Sequence, residues 1–270
     1  MEPDAGSVGA AHAAAHGGGI TGLRELLLAA ACWTVGWIAL FYGLAGTHRF
    51  WGGRLRESSR AHENDPYWCA RSVLGTLHAV GVAALSLPAA WVLLSAPEAV
   101  KFASSDHLER CAVDPSDAAL LEWDFVAQAV ALAGLAFTTF TLADVAVSVL
   151  HGLAAADHMA HHAVFIACGV LIRGNCMLPF NAAVLMAMEV STPFLNCMTL
   201  LRNRGDVYKS SVVASGVLFF ATYVLFRLAL NGYSTVLLWA TQLRGAAMPG
   251  KVPAWQAWLL AAAVSAGLAV

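Results

Sequence analysis

The sequence predicts an all-α, multi-pass transmembrane helix bundle of six or seven spans, and three observations carry that prediction. Hydrophobic residues make up 59% of the 270 and charged residues only 12%, about half the charged share of a water-facing domain. The mean hydropathy is +0.66. The apolar residues also fall into runs near the roughly 20 residues that a helix needs to cross the hydrocarbon. A net charge of −2 with no basic tract gives no electrostatic footprint for nucleic acid.

The first twenty residues end in "AHAAAHGGGI" and lack the positive n-region of a signal peptide or the arginines of a transit peptide. They read as a disordered Ala/Gly-rich tail, with the bundle over 21–270. His12 and His16 stand four apart there, but in a glycine-rich tail the pair reads as solvated rather than as a metal box. Seven spans follow: Leu26–Leu44, Ser72–Leu94, Phe125–Leu142 or slightly beyond, a shorter one from Met159 to Arg173, Met177–Leu200, Val212–Ala229 with an extension past Asn231, and a last one from Trp255.

The run Phe125–Ile172 would be about 70 Å long as one helix, more than twice the hydrocarbon thickness, so it must break. "HGLAAADH" is the expected break: Gly152 weakens the helix, and Asp157 can cap a new one by accepting backbone N–H bonds. The histidines of "ADHMAHHAVF", His158, His161 and His162, therefore start a helix. The loop before span two holds Arg49, Arg54, Arg56, Arg60 and Arg71, and the loop after span five holds Arg202, Arg204 and Lys209, whereas the loop between spans two and three is acidic. The arginine-rich loops should face the cytosol and the N-terminus the opposite side.

Six cysteines are scattered with no CxxC pair, which indicates neither a disulfide framework nor a zinc ribbon. Cys69, beside a membrane entry, reads as a buried thiol, with acylation the alternative.

Ionisable groups inside spans cost at least a few kcal/mol at the centre and mark function. Here they are His78, Asp144, His161, His162, Glu189 and Arg227, drawn from different spans. Asn181, Glu189, Thr192 and Asn196 fall within about 80° on a helical wheel, and Pro193 should kink that helix beside Glu189. Tyr223, Arg227 and Asn231 share a face by i, i+4 spacing. The expectation is one polar centre, with His161, His162, Glu189 and Asp144 as the reactive set and His78, Thr192, Asn196, Tyr223 and Arg227 lining it. The plainer alternatives are a satisfied core histidine at His78, a helix cap at Asp144, and Arg227 paired with Glu189 or Asp144.

"HMAHH" matches the H-x-x-H-H box of membrane di-iron enzymes, but no second box exists in the chain, so no metal is expected. A transporter lacks support because no inverted repeat is apparent. "RSVLGTLHAV" (71–80), "FTLADVAV" (140–147), "DHMAHHAVF" (157–165), "MEVSTPFLNCMTLL" (188–201) and "FFATYVLFRLAL" (219–230) occur in the order and spacing of the TLC-domain family, which includes the ceramide synthases. The chain resembles that family from about Tyr67 to Asn231, with a TLC-like domain at about 67–270. The resemblance implies a lipid-accessible cavity within the bundle and a role in lipid metabolism or homeostasis, in the endoplasmic reticulum or plasma membrane. Ceramide synthases carry His-Asp-x-x-Asp where this chain has "MEVST", leaving only Glu189 of that acidic set. The chain is thus more similar to the non-synthase branch, associated with phospholipid homeostasis.

Two readings remain. In one, the protein handles membrane lipids without chemistry, its imidazoles donating hydrogen bonds to a headgroup. In the other, His161 or His162 takes a proton from an amine or alcohol, or accepts an acyl group, with acyl-CoA as co-substrate and a carboxylate fixing the imidazole's tautomer. Arg227 could then hold a lipid or CoA phosphate. No cofactor is expected, the partners are membrane lipids, and a homo-oligomer is left open.

Overall fold

The computed structural model describes residues 23–102, 124–153, 156–174, 178–243 and 254–266. The tail histidines, Cys111, Cys176 and most of the acidic loop lie outside them. All regular structure among the described residues is helical. Seven principal helices follow in order: α1 (Leu23–Gly46), α2 (Pro66–Leu94), α3 (Asp124–His151), α4 (Ala156–Gly174), α5 (Pro179–Leu201), α6 and α7 (Ala254–Ala266). α6 is assembled from Lys209–Thr222, Tyr223–Leu230 and Asn231–Leu243.

Among the described residues, five helices are long and apolar enough to cross a membrane, and the shorter apolar segment Ala156–Ile172 lies in α4. At 1.5 Å per residue, 19-residue α4 is about 28 Å long, close to the hydrocarbon thickness. The 13 residues of α7 reach only about 20 Å.

The core lies where α2, α3 and α5 meet. Lipid tails are as apolar as leucine, so helices in a bilayer associate by close packing of small side chains. Ala90, Ala133, Ala183 and Ala187 are all buried at this junction, with Phe180 filling it. Gly169 lets α4 close on α3: a Cβ there would meet Thr138 Oγ1 at 2.2 Å. Trp91, Leu150, Phe220 and Val236 are at least 70% exposed, as outer faces with lipid as their solvent should be.

Two helix boundaries differ from expectation and move polar residues into helices. α2 starts at Pro66, six residues before the expected Ser72. Asp65 caps it by accepting from the Tyr67 and Trp68 amides at 2.7 and 3.3 Å, and Pro66 occupies the first turn, where no donor is needed. Arg71 is therefore inside the helix, not in the loop. α3 continues past Leu142 to His151, so Asp144 is an interior helix residue and not its cap. The break falls where expected: Gly152 takes φ +62°, and the Leu153 amide reaches back to Ser148 O at 3.0 Å, a left-handed helix stop. Asp157 lies in the first turn of α4, where a carboxylate favours the helix dipole.

The predicted distortion of α5 is present. Residues Met188–Ser191 tighten into a 3-10 turn holding Glu189, and Pro193 opens the final segment Thr192–Leu201. Opposite it, Tyr223–Leu230 of α6 widens into a π-helix carrying Arg227. The two irregular segments pack against each other.

The arginine-bearing loops meet at one end of the bundle. Ser59 N–H donates to Asn203 O at 3.0 Å, and Asn203 donates to Glu63 at 2.7 Å. Buried Arg204 donates to Arg56 O at 2.7 Å and Glu63 O at 2.5 Å. Cys69 is buried in this clasp, its Sγ 3.3 Å from Glu63 O, which favours the buried-thiol reading over acylation.

Candidate functional site

Three helices bring four polar side chains together near the clasped end. Arg71 (α2) grips Asp144 (α3) with two parallel bonds, Nε to Oδ1 and Nη2 to Oδ2, both 2.7 Å. Such a fork on a carboxylate is the strong, geometrically specific form of the ion pair. Nη1 also donates to Leu153 O at 3.4 Å, tying the pair to the α3–α4 turn. From α4, His158 and His162 reach the same carboxylate, their Nε2 atoms 3.2 and 3.3 Å from Asp144 Oδ2. The two Nε2 atoms are 2.5 Å apart, and Arg71 Nη2 contacts His158 Nε2.

The i, i+4 spacing of His158 and His162 places both on the α4 face turned to α3. Burial within the group is graded. Asp144 is 5% exposed, His162 12%, Arg71 21% and His158 37%. The centre therefore has an accessible side at His158 and an enclosed side at His162. The Nδ1 of His162 is buried and has no hydrogen-bond partner among the described residues.

His78 lies one step deeper. Its ring stacks on Phe140 at 3.9 Å and meets Trp37 edge-on at 5.8 Å, and its buried Nε2 has no partner among the described residues. Asp144 and His162 are the titratable groups within its electrostatic reach. Trp37 also donates to Thr139 Oγ1 at 3.3 Å. On α1 it borders an open groove of about 430 Å³ shared with Cys32, Trp33, Gly36 and Leu40. This groove runs along α1 and is open; it is not an enclosed chamber around the histidines.

A second centre lies between the irregular segments of α5 and α6. Glu189 accepts a hydrogen bond from Thr192 and feels the charge of Arg227. Arg227 Nε donates to Ser191 Oγ at 3.3 Å, and its guanidinium sits 5.8 Å from the Tyr223 ring. No ion pair within 4 Å joins Arg227 to Glu189 or Asp144 among the described residues; the arginine that pairs with Asp144 is Arg71. His161, about 100° around the helix from His162, packs on Phe165 at 4.5 Å and lies within electrostatic reach of Arg227. Asn196 belongs to neither centre: it donates to Thr76 Oγ1 at 3.2 Å, tying α5 to α2.

The structure thus divides the expected single constellation. Asp144 and His162 meet, with His78 beyond them; Glu189, Thr192, Tyr223 and Arg227 gather elsewhere, with His161 leaning toward them. No hydrogen bond or ion pair joins Glu189 to either histidine among the described residues. Sequence reasoning missed Arg71 and left His158 without a role. The signals were there: "DPYW" marks the true helix start, which puts Arg71 and His78 on one face at i, i+7, and H-x-x-x-H pairs His158 with His162.

The ligand atoms of Asp144, His158 and His162 lie within 4.8 Å of one another, close enough to consider a cation. The chemistry of this donor set can hold a proton network or a metal, and an imidazole held by a carboxylate can act as base, nucleophile or headgroup ligand. The family model for the TLC domain matches residues 69–270. No curated protein and no solved structure matches the chain.

Proposed function

We propose, because this chain belongs to the TLC-domain family, that it handles lipid within the bilayer at the Arg71–Asp144–His158–His162 centre and thereby influences membrane phospholipid and sphingolipid composition. The observation that carries this reading is the convergence of a buried carboxylate, a guanidinium and two imidazoles from three apolar helices. Such groups are expensive inside a membrane and persist where they serve a polar ligand. A headgroup entering past half-exposed His158 would meet His162, while the α1 groove lined by Trp33 and Trp37 could take an acyl chain alongside. The proposed compartment is the endoplasmic reticulum or the plasma membrane.

The test is a lipid profile of cells expressing the wild type or His162→Ala at equal protein level. A shift in phospholipid or sphingolipid composition that the variant abolishes supports the role. An identical effect from both chains removes His162 from it.

The Asp144–His162 contact favours a second, chemical reading: acyl transfer from acyl-CoA. An imidazole nitrogen would attack the thioester carbonyl and the C–S bond would break, with the thiolate taking up a proton as it leaves. A lipid amine or hydroxyl would then attack the acyl-imidazole, break the C–N bond and pass its proton to the imidazole. Protein in nanodiscs with acyl-CoA and a lipid amine separates the readings: release of free CoA that depends on His162 supports transfer, and lipid retention without CoA release supports binding alone.

A further inference from the structure

Two loops far apart in sequence are fastened into one face at the clasped end of the bundle. Residues 47–65 link α1 to α2 and residues 202–209 link α5 to α6; together they carry seven Lys and Arg against four Asp and Glu. The fastening uses little of that positive charge. Buried Arg204 donates to the carbonyls of Leu200, Arg56 and Glu63, and the Arg56 amide reaches Tyr208 Oη at 3.4 Å. Arg49, Arg54, Arg56, Arg60, Arg202 and Lys209 remain exposed. None of the six has an ion pair within 4 Å among the described residues.

Two of the four acids are already engaged. Glu63 is buried and accepts from Ser58 at 2.6 Å and from Asn203 at 2.7 Å. Arg60 from one loop and Arg202 from the other both lie within its electrostatic reach, so the clasp draws these two cations together. Asp65 caps α2. Glu57 and Asp206 are exposed and leave the cations in excess. Location points to the partner. The loops join the ends of membrane-crossing helices at Gly46, Pro66, Leu201 and Lys209, so this face borders the lipid headgroups. Phe50, 66% exposed, lies 4.7 Å from the Arg49 guanidinium, an aromatic placed as interfacial anchors are.

We propose that this clasped rim is a binding surface for the anionic phospholipid headgroups of its own leaflet, with Arg56, Arg60 and Arg202 at its centre. Each basic side chain near a membrane surface adds to the attraction for acidic lipids, and an arginine can grip a phosphate with two parallel N–H bonds. Setting the topology of the chain requires cations in the loops but not their convergence. The clasp holds cations from two loops on one face in advance, which lowers the ordering entropy that binding must overcome. The surface lies at the same end as the Asp144 centre but does not depend on lipid handling there.

The experiment is competition between dioleoylphosphatidylserine and dioleoylphosphatidylcholine for the purified full chain in detergent, with the bound ratio read by native mass spectrometry. The two lipids share their chains and phosphate and differ in net charge. The wild type should retain the serine lipid over the choline lipid by about fivefold or more, the scale of one surface cation. Combining Arg56→Gln, Arg60→Gln and Arg202→Gln should bring the ratio close to unity. These three side chains make no hydrogen bond among the described residues, so the thermal midpoint should hold. Glu57→Gln, which removes an exposed acid, should raise the ratio, a change that loss of folding does not produce. Added salt should lower the wild-type ratio, because exposed charges are screened; this measurement keeps the test decisive should the triple variant unfold. Equal retention of the two lipids by the wild type, or a ratio indifferent to salt, overturns the proposal and leaves the arginines as a topology signal alone. A serine-lipid preference that the folded triple variant keeps overturns its placement on this rim.

Discussion

The two intramembrane polar centres are built in opposite ways. At Asp144 every link is direct: a two-pronged arginine fork, two imidazoles within 3.3 Å of one carboxylate oxygen, and regular α-helix on all three sides. At Glu189 the links are loose. Its hydrogen-bond partner is Thr192, three residues along its own chain, and Arg227 acts from beyond ion-pair distance while bonding Ser191. The backbone there is a 3-10 turn facing a π-helix, geometries that concentrate at functional sites. The first centre is fixed in advance, as precise recognition requires; the second has groups that could rearrange around a polar ligand.

Breaking the carboxylate should therefore have the largest effect. Asp144→Asn leaves Arg71 without its counter-charge in a largely buried site, and we expect a loss of about 3 kcal/mol, within the range for stripping one partner from a buried pair. The thermal midpoint in detergent measures it. A change as small as that of a surface substitution would show that the fork contributes little.

The loop clasp outside the membrane gives an intermediate case. Burial pushes the Glu63 carboxyl up, but hydrogen bonds from Ser58 and Asn203, together with the charges of Arg202 and Arg60, more than offset it and hold the group below the usual glutamate range. A lowered folded value means that the stabilisation is present above the unfolded value, about 4.3, and is lost as pH falls through the folded one. Proteolysis of the loop before α2 should accelerate below about pH 4 in the wild type, and Glu63→Gln should flatten that dependence at a cost of about 1 kcal/mol. An unchanged profile in the variant would remove Glu63 as its source.

The smallest effect is expected at the loose centre. Glu189→Gln keeps an oxygen that can accept from Thr192, and the thermal midpoint should report less than about 1 kcal/mol. A loss matching that of Asp144→Asn would erase the distinction between the two centres.

How much of this was legible beforehand follows from the range of each signal. The Gly152 stop and the α5 distortion were readable because glycine and proline act on their own backbone. The α2 start was readable too, in Asp65 and Pro66, but the apolar run begins later and drew the boundary to Ser72. Which charges meet was not readable. Asp144 finds Arg71 and not Arg227 because α2 and α3 pack along their lengths, and a pairing 73 residues apart in sequence leaves no local trace.

The amino-acid order alone determined that the chain is a bundle of apolar helices with costly polar groups inside, because length and hydropathy set what a bilayer accepts. It also determined that His158 and His162 share a face and that His161 departs from it, since 100° per residue is a property of any α-helix. Only the tertiary structure decided that these two faces look into different centres. That choice depends on which helices lie on either side of α4, and helix neighbours are selected by packing over the whole bundle.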